Sequence, residues 1–391
     1  FDLDCLRAAD AQRPHLSFQP SPVVENGPKA ADLLHRGIHS YADLFSSRQL
    51  LYLRQAIDLL PRYEPTLRLN LALLVSTSLE FNSMLCSYKG GGRRRPGAIR
   101  HTFAHHAYSF PYTALENNPL YPGKSSGTLT KLFHDRLYRA RQWAVRPSER
   151  AMNNGRLHAL PLPEERDSGV EVDRPADLQT STHRFWLYQG SSAALPLEAA
   201  SVDYVVTDPP YFDSVQYSDL SAFFRVWLRQ MLPGEAQWEY DTESSAVGGR
   251  WAGDGKHYAT LLGDIFGECR RVLRPGTGRL IFTFHHWRAN AWAALTLALR
   301  RAGFHLVNRY VVHSENAISV HIAGLKALTH DAILVLAPRE TGQGKSWSRP
   351  ESIDNSNSKQ FCADCAAGLG WLLAADLDER EVERQWKAWL R

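Results

Sequence analysis

An acid, two prolines and a tyrosine stand together at Asp208-Pro209-Pro210-Tyr211, one residue after the largely apolar run 202–206. A β-strand ending there would place Asp208 just beyond its carboxyl end, where open α/β sheets bind ligands. These residue types suit one kind of chemistry. An exocyclic amino group on an aromatic base is a poor nucleophile because its lone pair is delocalised into the ring. A carboxylate and a rigid carbonyl that accept its N–H bonds favour a more tetrahedral nitrogen and concentrate the lone pair toward an electrophile. Proline fixes φ and offers a carbonyl without a competing donor, so Pro209 is the expected second acceptor. Tyr211 would stack on the base, which must first leave the duplex. Close alignment of the nitrogen and the incoming methyl would then supply much of the rate. A strand followed by a diproline turn is the bland alternative.

The tetrapeptide in this setting resembles the catalytic motif of the S-adenosyl-L-methionine-dependent DNA amino-methyltransferases, which act on adenine N6 or cytosine N4. The longer run VDYVVTDPPYFDSVQYSDLSAFFRVWL is similar to the large adenine-specific DNA methylases that carry an N-terminal domain of unknown function. So are GIHSYADLFSSRQLLYL from Gly37, LEFNSML from Leu79, HTFAHHAYSFP from His101 and ECRRVLRPGTGRLIFTFHHW from Glu268. The likeness spans residues 37–338. It implies an α/β fold, a Rossmann-like methyltransferase sheet with a mostly helical insertion before the catalytic strand. It also implies S-adenosyl-L-methionine as cofactor and DNA as partner.

Carried over residue by residue, the catalytic positions are Asp208, Pro209, Pro210 and Tyr211, with Asp208 also beside the cofactor. Gly190 and Ser192, in the stretch Tyr188-Gln-Gly-Ser-Ser192, are the expected cofactor contacts; a simple turn is the alternative. Tyr211 and Phe212 are expected against the base. His285 and His286, which end a strand on the same sheet edge, are expected near substrate, or in capping and packing. Adenine N6 is favoured by the Asp that opens the tetrapeptide. Cytosine N4, an RNA base, a protein amide and a catalytically inactive DNA-binding fragment stay open, as does the setting, restriction-modification or phage defence among others.

The resemblance calls further for a glycine loop of the form Phe-x-Gly-x-Gly, and no stretch fits it. Gly90-Gly91-Gly92 lacks a preceding apolar strand and runs into Arg93-Arg94-Arg95, a basic patch expected to touch DNA phosphate. Gly368 and Gly370 have the spacing, but SIDNSNSKQF before them is not a buried strand. Gly123-Lys124-Ser125 is not a phosphate loop, since Asn118 stands where a glycine is required. The expectation is therefore a split or longer enzyme in which an upstream or separate segment supplies the loop.

Apolar spacing predicts helices over residues 41–60, 65–84 and 128–145. Residues 1–29 read as irregular and 147–182 as a polar linker. Beyond them the rhythm becomes strand (184–188), strand (202–206), helix (218–231), helix (257–273), strand (279–284), helix (289–302), strand (305–312) and strand (332–336). That alternation predicts a doubly wound α/β sheet, with 202–206 in a buried parallel position. Residues 341–359 read as flexible and 381–390 as a terminal helix. The expected divisions are 1–36, a lead-in; 37–182, DNA recognition; 183–338, catalysis; and 339–391, a tail.

The 45 basic and 41 acidic residues leave a formal charge of +4, which permits nucleic-acid binding without demanding it. Five scattered Cys do not form a secreted disulfide framework, and the single Cys362-x-x-Cys365 lacks a second ligand pair, so no metal is expected. No apolar run suits a membrane span and no signal pattern opens the chain, so the expected location is cytoplasmic.

Overall fold

The computed structural model describes residues 2–90, 97–123, 125–153, 156–165, 168–180, 182–213, 215, 217–237, 241, 244–248, 251, 253–314, 328–339 and 346–390. It is a mixed α/β protein of two compact units. Unit 1 comprises Phe1–Glu171, Ser181–Phe185 and Ser218–Tyr240; unit 2 comprises Val172–Thr180, Trp186–Tyr217 and Asp241–Arg391. No helix among the described residues is long and apolar enough to cross a membrane.

Unit 1 is mainly helical: α1 (Asp2–Gln12), α2 (Ala31–His35), α3 (Ser47–Leu59), α4 (Pro65–Leu79), α5 (Leu129–Leu132), α6 (Arg139–Val145) and α7 (Tyr217–Met231). The predicted helix over 41–60 is interrupted at Ser46. There Ser46 and Gln49 form a reciprocal capping box that starts α3. Pro65 opens α4 where its missing N–H costs nothing, with the Glu64 carboxylate capping Thr66 and Leu67. The core gathers Tyr41, Leu53, Phe223 and Trp227, all fully buried. α7 therefore belongs to this core although it follows Tyr211 closely in sequence.

Two sequence expectations fail here. Residues 2–12, expected to be irregular, form α1 with Ala9 as its buried residue. The supposed linker after residue 147 contains an antiparallel hairpin, β3 (Ser148–Asn153) with β4 (Arg156–Pro161), preceded in the unit by the short pair β1 (Ser87–Lys89) and β2 (Ala98–Arg100). Its Asn154-Gly155 spacer is a hairpin signal. The absence of a buried face removed the apolar alternation that would have advertised the strands. The predicted strand 184–188 shrinks to β6 (Arg184–Phe185), which among the described residues pairs with β5 (Val170–Glu171) alone.

Unit 2 holds one four-stranded sheet, from β7 (Tyr204–Thr207), β8 (Arg279–Phe284), β9 (Phe304–His313) and β10 (His330–Pro338), in the order β7-β8-β10-β9. β7 and β8 are parallel; β10 runs antiparallel to both of its neighbours. Among the described residues it is accompanied by α8 (Gly255–Val272), α9 (Ala289–Ala302), α10 (Ser358–Ala374) and α11 (Glu379–Trp389). Side chains alternate across a strand, so Leu280, Phe282, Phe284, Leu334 and Leu336 share one face, and all are buried. Phe266 of α8 stacks on Phe282 and Trp292 of α9 meets Phe284 edge-on, which places both helices over that face. Gly303, at φ +73°, ends α9 in the left-handed conformation that glycine tolerates best.

The opposite face is open. Tyr204 is 64% and Val206 74% exposed, so the expected burial of this strand is wrong. The reason is topological: among the described residues β7 is an edge strand with one neighbour, and of its own residues only Val205 packs into the core. The residues 358–374, part of them expected to be flexible, form α10. Its Gly368 and Gly370 lie inside the helix, where an added Cβ would press on Trp389 at 3.0 Å and Trp347 at 2.7 Å. These glycines serve close packing and form no loop.

Candidate functional site

The site is built by strand ends on the open face of unit 2. Thr207 of β7 pairs with Phe282 of β8, so the next residues, Asp208 and Thr283, stand side by side. The Thr283 hydroxyl donates to Asp208 Oδ1 at 2.7 Å. β10 enters antiparallel, with Ala332 opposite Phe284, which brings Asp331 beside His285. His285 Nδ1 and Asp331 Oδ1 form a short hydrogen bond. The Tyr211 hydroxyl closes the set, donating to Thr283 Oγ1 at 2.6 Å with Asp331 Oδ2 at 3.3 Å. Its ring lies 4.9 Å from that of His285 and 5.5 Å from Phe284. Asp208, Thr283, Tyr211, Asp331 and His285 thus form one continuous network.

Burial alone would raise the Asp331 carboxyl. Hydrogen bonds from His285, Ser314 and Tyr211 outweigh it and hold the group below the usual carboxylate range. Burial, reinforced by the charges of Asp331 and Asp208, keeps the Tyr211 phenol protonated well above its ordinary value.

The turn after β7 is over-determined. Pro209 is buried, and Phe212 adopts φ +53°, a conformation that costs a non-glycine residue about 1 kcal/mol or more. Phe212 is 2% exposed and held edge-on by Tyr258 and His286. The Pro210 carbonyl accepts from the Tyr258 hydroxyl at 2.6 Å and from the Phe212 N–H at 2.9 Å. Among the described residues no donor meets the Pro209 carbonyl. The exposed Asp208 carboxylate is therefore followed by a carbonyl that no described donor engages.

A second network lies behind the turn. Asp213 accepts from His286 Nε2 at 3.0 Å and pairs with Arg288, while His286 Nδ1 accepts the Arg288 N–H at 3.0 Å. Both ring nitrogens of His286 are thus engaged in a neutral tautomer. Burial lowers its pKa, partly opposed by Asp213. The folded-state pKa lies below the unfolded value of about 6.5, so His286's contribution is complete above that value and is lost as pH falls through the folded pKa. Urea unfolding at pH 7.5 and pH 5.5 is expected to show a smaller loss of stability for His286→Gln than for the wild type. Equal losses would remove His286 as the titrating group.

Of the residues singled out in the sequence, Asp208, Pro209, Pro210, Tyr211, Phe212, His285 and His286 come together. Gly190 and Ser192 lie in exposed coil before β7, and no hydrogen bond or ring contact among the described residues joins them to Asp208. An added Cβ at Gly190 would meet the Tyr188 ring at 2.4 Å. Arg93, Arg94 and Arg95 lie outside the described residues. Thr283, Asp331, Asp213 and Tyr258 are members the sequence reading missed. Thr283 had a signal, a lone hydroxyl in the apolar strand RLIFTF; Asp331 had a weaker one, an acid opening HDAILVLAP. Cys362 and Cys365 are buried thiols on α10, with Cys362 Sγ donating to the His330 carbonyl at 3.1 Å and pushed up to about 12 by burial. No group of three or more potential metal ligands occurs among the described residues.

No family model matches the chain, and neither a curated protein nor a solved structure matches it.

Proposed function

We propose that unit 2 carries the amino-activating half of a site that methylates an exocyclic amino group in DNA, adenine N6 foremost. The observation that carries this reading is the pair of acceptors at the end of β7: the Asp208 carboxylate, oriented by Thr283, and the unengaged Pro209 carbonyl. An amino group seated between them would donate one N–H hydrogen bond to each acceptor and turn its lone pair outward. In this reading Asp208 also takes the proton that the nitrogen sheds on alkylation. Tyr211, tethered at its hydroxyl, offers the flipped base a fixed aromatic wall. The parallel pair β7–β8 joined through α8 fits one half of a Rossmann-like sheet.

S-adenosyl-L-methionine would supply an electrophilic methyl. The described residues do not build a cradle for it: Gly368 and Gly370 are helical, and Gly190 and Ser192 sit in exposed coil. The open edge of β7, with Tyr204 and Val206 bared beside Asp208, suits a further parallel strand. Exposed apolar edges invite pairing. A segment from a longer chain or a separate protein that docks there would bring its loop to the strand ends where Asp208 lies. The same vacancy favours the second reading, a DNA-binding fragment without turnover of its own.

The test is expression of the gene encoding this chain, with its flanking reading frames, in a host whose DNA lacks methylated adenine. Digestion to nucleosides is expected to yield N6-methyladenine. A host DNA with neither methylated adenine nor methylated cytosine would overturn the proposal.

A further inference from the structure

Residues 129–161 concentrate charge. They hold seven Lys or Arg against two acids, a surplus of five where the whole chain carries +4. The structure arranges them as α5, a π-helical turn (Phe133–Tyr138), α6 and the β3–β4 hairpin, all in unit 1. Trp143 Nε1 donates to the Ser148 carbonyl at 3.1 Å and ties α6 to the start of β3. Beside it is an open hollow of about 710 Å³, lined by Tyr138, Arg139, Arg141, Trp143, Arg146 and Ser148. Arg139 pairs with Asp135 at 3.5 Å. Among the described residues no carboxylate pairs with Arg141, Arg146, Arg150 or Arg156.

The hairpin has no buried face. Every described residue of β4 is exposed, and Met152, Leu157 and Leu160 are 67%, 63% and 53% exposed. An isolated two-stranded ribbon is marginal in water, so this one is shaped for something that covers it. Its register puts Arg150 with Met152, Leu157 and Ala159 on one face, and Arg156 and His158 with Leu160 on the other. One guanidinium therefore projects from each side. A six-residue ribbon is about 20 Å long, and the major groove of B-DNA, about 12 Å wide, admits a two-stranded β-ribbon lengthwise. Both walls of that groove are phosphate backbones.

We infer that residues 129–161 form a DNA-docking arm, in which the β3–β4 ribbon enters the major groove and the Arg141 and Arg146 guanidinia of the adjoining hollow hold backbone phosphate. The unpaired charge fits a polyanion, and the arm rests on the reading of DNA as the substrate of the Asp208 site.

The experiment is binding of a labelled 30-base-pair duplex by the full chain, followed by fluorescence anisotropy between 50 and 200 mM NaCl. The quadruple variant Arg141→Ala/Arg146→Ala/Arg150→Ala/Arg156→Ala is expected to bind at least about tenfold more weakly. Its log K against log [salt] slope is expected to flatten by up to about 3.6, since each of four lost phosphate contacts removes about 0.9. The matching quadruple Arg→Lys variant is expected to keep most of the slope, because a phosphate contact reads charge. All four positions are exposed, and an unchanged circular-dichroism melt will show that the fold is intact. Unchanged affinity and slope in the alanine variant would overturn the arm while leaving the Asp208 proposal standing. A wild type that binds anionic phospholipid vesicles but no DNA would overturn it as well. A wild type that binds DNA through these arginines, from a gene that methylates none, would support the arm and refute the methyl-transfer reading instead.

Discussion

Asp208→Ala is expected to abolish methyl transfer while leaving the melting curve of the protein in place. The carboxylate is exposed, and its recorded hydrogen-bond partner is the Thr283 hydroxyl, which retains its link to Tyr211 without it. A surface change of this kind shifts stability by about 0.5 kcal/mol or less. Its effect on rate is of another order. Positive charge grows on the amino nitrogen as it is alkylated, so the interaction with Asp208 strengthens toward the transition state, and only such interactions accelerate the step. Removing one preorganised electrostatic partner typically costs about 2.7–4 kcal/mol, or a factor of about 100–1000. Asp208→Asn should fall nearly as far, because an amide presents a donor where an acceptor is needed. Thr283→Val leaves the carboxylate but frees its rotamer, and a loss of about tenfold, about 1.4 kcal/mol, is expected. Labelled-methyl counts in DNA from cells expressing each variant measure the series. Near-normal methylation by Asp208→Ala would remove this residue from the mechanism, and the amino-activating reading with it.

The ranking of these three variants shows what the sequence could and could not supply. Asp208 was legible because its chemistry is local: acid, proline, proline and tyrosine follow a strand without interruption. Thr283 and Asp331 lie 75 and 120 residues from the tetrapeptide's Asp208 and Tyr211 respectively, and they meet it only through sheet register. Register depends on strand order, and the insertion of β10 between β8 and β9 is a tertiary choice that no local pattern declares. β8 and β10 were legible because one face of each is buried and apolar, and β7 because its residues are largely apolar although it lies at the sheet edge. The exposed hairpin β3–β4 was missed for the converse reason. α10 was masked by its own buried composition: a helix apolar all round, with two glycines, has no amphipathic period to reveal it.

The open face of the sheet and the site it bears are consequences of the same arrangement. Thr283 of β8, Asp331 of β10 and His285, just past the end of β8, continue the odd-numbered alternation on the side away from α8 and α9. The other side, Leu280, Phe282 and Phe284, is the anchor. Chemistry and stability are thereby divided between the two faces of a single strand, so a substitution on the buried face should reach the site only through the backbone.

Trp292→Ala tests that division and should give the largest stability loss in unit 2. The indole is fully buried, meets Phe284 edge-on at 4.9 Å and stacks on Trp386 of α11 at 5.4 Å. Truncating a buried Trp to Ala costs about 3–5 kcal/mol through lost transfer energy and the cavity left behind. The Trp292 Nε1 also donates to the His286 carbonyl at 2.8 Å, in a position with no exposure to water. Trp292→Phe restores most of the packing but strands that acceptor, a penalty of about 1–3 kcal/mol. Denaturant unfolding followed by far-ultraviolet circular dichroism is expected to rank wild type above Trp292→Phe above Trp292→Ala, with the transition of unit 2 moving. A loss below about 1 kcal/mol for the alanine variant would mean that α9 and α11 do not depend on this ring. If the ranking holds, the hydrogen bond gives Trp292 a second role. It fixes the backbone at His286, the residue that holds Asp213 and packs on Phe212, so loosening the core at this point should also relax the strained turn that presents Asp208 and the Pro209 carbonyl.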